Sequence, residues 1–200
     1  AIKIGKAWKN FADIKIPEEI PNLKKKIKTY SEYESKLILK KNKIPIPKSL
    51  VTNKKNILRD SKKIGFPLVA KINSNKVFHK TEIGGVVTNI NSEKELKKKT
   101  NKFTGNILIE KMITDNVFEM IIGIKNDDEF GPTIILGAGG IYTELFKDTT
   151  TLLLPLTKRM IVEEIKKLKF SKILFGFRGK NSGDLDALVS SILKIAKFAE

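Results

Sequence analysis

Ile107-Leu108-Ile109 running into Glu110-Lys111-Met112, the alternating segment Phe118 to Lys125, the turn Asp127-Asp128 and Thr133-Ile134-Ile135-Leu136 follow one another as strand upon strand. Strands this closely spaced read as hairpins, because a parallel pair needs a crossover of about a dozen residues or more. Upstream the pattern differs. Ser31 and Glu34 form a capping box for a helix with Tyr33, Leu37 and Ile38 on one face, stopped by Pro45 and Pro47. Asn53 caps a second helix with Ile57, Leu58 and Ile64 as its stripe and Gly65 as its end. Leu68-Val69-Ala70-Lys71-Ile72 and Val86-Val87-Thr88-Asn89-Ile90 read as strands, and Ser92 with Glu95 as a second capping box for a helix ending near Phe103. Further helices fall at about 157–169 and 184–199. Alternating elements followed by hairpins predict an α+β fold of two lobes, not one doubly wound sheet. The chain ends on a helix without a closing strand, so the second lobe reads as C-terminally incomplete.

Two hundred residues at 40% hydrophobic suffice for one sizeable core or two small lobes. No apolar run approaches the ~18 residues of a membrane span, and no secretory signal opens the chain. Zero cysteines exclude disulfides, thiolate metal sites and a cysteine nucleophile, in agreement with a cytoplasmic location. The net charge of +17 invites a nucleic-acid reading. Yet only Arg59, Arg159 and Arg178 are arginines; lysines are spread over nearly every surface segment, and no aromatic residues interleave with them. The expectation is therefore no dedicated nucleic-acid site and no membrane partner. A basic nucleic-acid-binding or scaffold protein is the rival from another class.

The chemistry gathers around His79-Lys80-Thr81-Glu82-Ile83-Gly84-Gly85. Histidine can transfer a proton, bind metal or attack phosphorus, glycines let amides approach an anion, and lysine adds a positive point charge. The run fits a phosphate site containing a phosphate acceptor; it fits equally a loop histidine before a glycine turn. Lys71, mid-strand among apolar neighbours, is either a snorkelling edge lysine or a phosphate ligand. Glu110 and Glu119 punctuate strands, as ribose acceptors or as exposed edge residues. Gly137-Ala138-Gly139-Gly140 is a second candidate anion loop, without the helix signature of a dinucleotide fold. Arg178 lies between Gly176-Phe177 and Gly179, which would let it approach a phosphate.

In their order along the chain these segments resemble the nucleotide-binding, ATP-grasp part of the ADP-forming acyl-CoA synthetases, the acetate–CoA ligases (ADP-forming). The resembling stretches are Ser31-Glu32-Tyr33-Glu34-Ser35-Lys36, Asn42 to Pro47, Ile64 to Ile72, His79 to Val86, Phe130-Gly131-Pro132, Gly137 to Glu144, Asp148, Pro155-Leu156 and Gly176 to Gly179. The resemblance covers roughly residues 31–200. Ala1-Ile2-Lys3-Ile4-Gly5-Lys6-Ala7-Trp8 looks like the tail of a preceding CoA-ligase part, so 1–30 would be tail and linker, 31–106 the N-terminal lobe and 107–200 an incomplete C-terminal lobe.

The resemblance implies ATP or ADP between the lobes, with adenine held along Ile109-Glu110-Lys111-Met112. It makes Lys71 a phosphate ligand, Glu119 a ribose or strand-end carboxylate and His79 the residue that takes up a phosphoryl group. Gly84, Gly85 and Arg178 would neutralise phosphoryl oxygens, with Gly139, Gly140 and Glu144 on a second loop near the site. In the family pattern an acidic-Asn-Pro segment beyond the last helix supplies Mg²⁺ ligands; none is expected before Glu200, and the 200-residue piece alone is expected to be inactive. The implied reaction is acyl-CoA + ADP + phosphate ⇌ carboxylate + ATP + CoA. Its implied partners are a CoA-binding ligase subunit or domain, a small carboxylic acid and CoA, in a hetero- or homo-oligomer. A catalytically silent ATP-grasp domain of an acyltransferase-linked regulatory relative is the near alternative.

Overall fold

The computed structural model describes residues 28–75, 84–140, 142–143, 147–179 and 181–200. Two antiparallel sheets follow in sequence, each with its own apolar cluster. Helix α1 (Glu32–Lys41) begins as the capping box requires: Ser31 accepts from the Glu34 amide, and the Glu34 carboxylate accepts from the Ser31 N–H at 2.7 Å. Strand β1 (Ser49–Thr52) leads to α2 (Ile57–Ile64). Asn53, expected from sequence as the cap of this helix, accepts instead from the Lys55 and Asn56 amides at 3.0 and 3.1 Å in the turn before it. The N-cap is Asn56, with no side-chain cap bond, and Gly65 ends the helix at φ 83°. Next come β2 (Leu68–Ile72), β3 (Val86–Ile90), α3 (Glu93–Lys99) and β4 (Ile107–Lys111).

Two further local expectations are corrected. Ser92 caps α3, but the Glu95 carboxylate accepts from Asn91 instead of closing a reciprocal box, and the helix stops at Lys99. Strand β4, assigned to the second lobe by sequence, lies inside the first sheet, whose order is β1-β4-β2-β3. It pairs with β1 and β2, and its residues Ile107 to Glu110 are all buried. A strand covered on both faces carries no alternation to advertise its neighbours.

The second sheet is the hairpin run expected from sequence: β5 (Met120–Asp127), β6 (Gly131–Ala138) and β7 (Thr149–Leu153), in that order. Ile134, Leu136, Ala138 and Leu152 face a layer formed by α4 (Lys158–Lys167), the short α5 (Ser171–Leu174) and α6 (Leu185–Ala199). Ile161, Ile165 and Ile192 are fully buried there. No helix among the described residues is long and apolar enough to cross a membrane.

Candidate functional site

Strand alternation prepares the first half of the site. In the β2–β4 register Val69 lies opposite Glu110 and Lys71 opposite Leu108. Lys71 and Glu110 are therefore diagonal neighbours on one face of the sheet. The other face carries Leu68, Ala70, Ile107 and Ile109 into the apolar cluster. Helix α1 brings two more charges to the Lys71 face, because Glu32 and Lys36 are one turn apart on the same side. Lys71 Nζ lies 2.6 Å from Glu110 Oε1 and 2.6 Å from Glu32 Oε1. Lys36 lies 2.9 Å from Glu32 Oε1 and also contacts the Glu110 carboxylate.

Burial works against the charges of Glu32 and Lys71. It pushes the Glu32 carboxyl upward, but hydrogen bonds from Lys71 and then Lys36 outweigh it and hold the pKa at about 2. Burial likewise pulls the Lys71 ammonium down, and the Glu110 and Glu32 carboxylates overcome it, leaving Lys71 above its usual value. Glu32 and Lys71 are thus both held in their charged forms at neutral pH.

The second half lies at the start of β5. Glu119, Gly140 and Arg178 line one cavity of about 850 Å³, together with Asn116, Phe118 and Tyr142. The loop leaving β6 crosses close over β5, where the Gly139 N–H donates to the Glu119 carbonyl at 2.8 Å. A Cβ on Gly139 would come 3.0 Å from the Met120 carbonyl carbon, and one on Gly140 only 2.0 Å from Glu119 Oε2. Bare backbone at Gly139 is therefore what lets the loop cross β5, and at Gly140 what lets the Glu119 carboxylate occupy the cavity wall. Phe118 stacks on Tyr142 at 5.5 Å and on buried Phe170 at 4.7 Å. Arg178 sits at φ 49°, between Gly176 and Gly179, with its guanidinium 5.2 Å from the Phe177 ring.

The residues singled out by sequence thus fall into two groups, Lys71 with Glu110, and Glu119 with Gly139, Gly140 and Arg178. Gly84 takes φ 67° with open space where a Cβ would stand, and the Gly85 carbonyl accepts from Ile72 at 2.9 Å. The Met112 N–H donates to the Pro67 carbonyl at 3.0 Å, so that amide is already engaged within the protein. His79 and Glu144 lie outside the described residues. Sequence reasoning misses Glu32 and Lys36 as site residues, although a Glu–Lys pair one turn apart in the first turns of α1 is a readable signal. Phe118, Asn116 and Tyr142 give none.

Residues 22–200 match the ATP-grasp domain family. The acetate–CoA ligase (ADP-forming) of Methanocaldococcus jannaschii is 34% identical over 94% of this chain and 29% of its own length. The acetate–CoA ligase (ADP-forming) II beta subunit of Pyrococcus furiosus is 34% identical over 84% of this chain and 77% of its own.

The chain belongs to the ATP-grasp family of the ADP-forming acyl-CoA synthetases.

A solved structure agrees with the fold of this ATP-grasp chain. It is the dinucleotide-forming acetyl-coenzyme A synthetase 1 of Ca. Korarchaeum cryptofilum, with coenzyme A and Mg-AMPPCP and its phosphohistidine segment pointing towards the nucleotide binding site. Its TM-score is 0.74 at 34% identity, covering 84% of this chain and 78% of that one. This ATP-grasp chain spans only 29% of the M. jannaschii ligase, so it corresponds to part of such an enzyme. Among the described residues no group of three or more His, Cys, Asp or Glu side chains could hold a metal ion.

Proposed function

We propose that this chain is the nucleotide-binding and phosphoryl-transfer part of an acid–CoA ligase (ADP-forming), catalysing acyl-CoA + ADP + phosphate ⇌ carboxylate + ATP + CoA. The observation that carries this reading is the pairing of Lys71 with Glu110 on the inner strands of the first sheet, in a chain of this family. Lys71 supplies a fixed positive charge for a nucleotide phosphate. Glu119, held over Gly140, is a ribose acceptor, and Arg178 a second cation for phosphoryl oxygens. The adenine edge lies along Glu110 to Met112, through groups other than the Met112 N–H, which is engaged with Pro67.

His79 is the phosphoryl acceptor in this reading. With ATP as donor, the unprotonated imidazole nitrogen forms the N–P bond as the bond from the γ-phosphorus to the bridging oxygen breaks and ADP leaves, and the other ring nitrogen gives up its proton. The reverse transfer to the terminal phosphate oxygen of ADP breaks the N–P bond and returns a proton to the ring. The N–P bond is high in energy, so the exchange is nearly balanced and reversible. Gly84 and Gly85, directly after the histidine run, offer backbone amides on the phosphate side, and Gly139, Gly140 and Glu144 form the second loop. Coenzyme A, a small carboxylic acid and a CoA-binding ligase subunit or domain complete the system, in a hetero- or homo-oligomer in the cytoplasm. A separate beta subunit and a coenzyme A complex among the relatives support that partnership.

The test is incubation of the intact protein with γ-labelled ATP and Mg²⁺, followed by a search for acid-labile, base-stable label. Wild type is expected to take up label and H79A none. Equal labelling of the two would overturn the phosphohistidine assignment.

A further inference from the structure

Among the described residues four charges at the first sheet form an alternating ring: Lys71 to Glu32 at 2.6 Å, Glu32 to Lys36 at 2.9 Å, Lys36 to Glu110, and Glu110 back to Lys71 at 2.6 Å. These four side chains, two lysines and two glutamates, sum to zero charge. The members differ in accessibility: the Glu110 side chain is 6% exposed, Lys36 14%, Lys71 20% and Glu32 27%. Glu110 is thus the ring's inner anchor and Glu32 its outermost acid. A lysine ammonium has three donors, and among the described residues two of those of Lys71 point to carboxylates.

A neutral Lys71–Glu110 pair would suffice to accommodate one lysine on the sheet face. The second pair, delivered by α1, does something else: it puts a carboxylate on the accessible side of Lys71, and a second lysine behind both acids. An ion ring this buried is weak evidence for stability, since desolvation offsets most of the attraction.

We propose that Glu32 and Lys36 are positioning residues for nucleotide binding: Glu32 holds Lys71 in the place of a phosphate and yields it on binding, while Lys36 retains the displaced carboxylate. This rests on the reading of Lys71 as a phosphate ligand. Exchange of one anion for another on Lys71 keeps the ammonium paired throughout, and Lys36 keeps Glu32 and Glu110 from facing the incoming phosphate as uncompensated negative charge. The ring therefore sets affinity through charge balance, and the two α1 residues act in opposite directions.

The experiment is calorimetric titration of ADP and of a non-hydrolysable ATP analogue, each with Mg²⁺, into the intact protein and its variants. E32Q removes both the competing acid and one negative charge, so its dissociation constant is expected to fall. K36M leaves an unbalanced carboxylate, so its constant is expected to rise. Each change should be about tenfold, the scale of one unit charge about 6 Å from the ligand at an effective dielectric of about 40. E32Q/K36M, neutral again, should return to within about threefold of wild type, since the two effects oppose one another. K36R preserves the charge and should bind as wild type does, which keeps the test valid even where K36M folds poorly.

A merely structural ring predicts otherwise: E32Q and K36M would weaken binding alike, and a constant for E32Q equal to or above wild type overturns the inference. Unchanged binding in K36M overturns it as well. K71M separates the two levels of argument. Unaltered nucleotide affinity in K71M would sink the functional reading itself, whereas loss of affinity there with same-sign effects in E32Q and K36M sinks only the role of the ring.

Discussion

Substituting alanine at Gly140 tests how the cavity wall is built. The backbone there has φ 57°, and an added Cβ would lie 2.0 Å from Glu119 Oε2 and 3.8 Å from Glu119 Cβ. Left-handed backbone costs a non-glycine residue about 1–2 kcal/mol. The carboxylate is the flexible end of a side chain, so it will swing aside at roughly 0.5–1.5 kcal/mol of rotamer strain. G140A should therefore lose about 1.5–3.5 kcal/mol, the sum of those two costs, in denaturant unfolding. In an E119A background the obstructing atoms are gone, and only the backbone cost of about 1–2 kcal/mol remains. A double-mutant cycle should then show coupling of about 0.5–1.5 kcal/mol. Because the displaced carboxylate no longer lines the cavity, G140A should also bind nucleotide as weakly as E119A. Equal destabilisation by G140A in both backgrounds, with nucleotide affinity retained, would refute the idea that this glycine exists to seat Glu119.

Three further predictions concern acid, strain and core. Glu32 titrates at about 2 in the fold against an ordinary 4.5, so its contribution is complete above about pH 4.5 and lost as pH falls towards 2. Stability of E32Q measured across that window should decline less steeply than wild type. Arg178 holds a left-handed backbone at φ 49°, so R178G should keep or raise the melting temperature while weakening nucleotide binding; a fall in both would assign Arg178 a structural role. Ile109 is fully buried in the first apolar cluster, and I109A should cost about 2–5 kcal/mol in denaturant unfolding with the sheet intact by circular dichroism.

Legibility in the sequence follows the range of the interaction. The Ser31–Glu34 box and the stop at Gly65 depend on atoms within a few residues, and both are legible there. The β5–β6 hairpin is legible because its turn sits between two apolar runs. Strand β4 is misplaced by sequence because its partners, β1 and β2, lie about 40 to 60 residues upstream in a register that no local pattern encodes. Lys71 is visible as a charge out of keeping with its strand. Its pairing with Glu110 is not, since that exists only once β2 and β4 are aligned. Gly139 and Gly140 read as an anion loop, yet in the fold their bare backbone passes over β5 without striking Glu119.

Phe118 carries a mechanical consequence. Its ring is clamped between Tyr142 at 5.5 Å and Phe170 at 4.7 Å, and Phe170 is 1% exposed within the second apolar cluster. The cavity floor is thus one surface of the domain's interior. A guest pressing on it meets the stiffness of a packed core, whereas the glycine-flanked Arg178 turn is an exposed loop. Compliance in this pocket is one-sided: fit to a guest comes from the arginine side, while the floor beside Glu119 holds its shape.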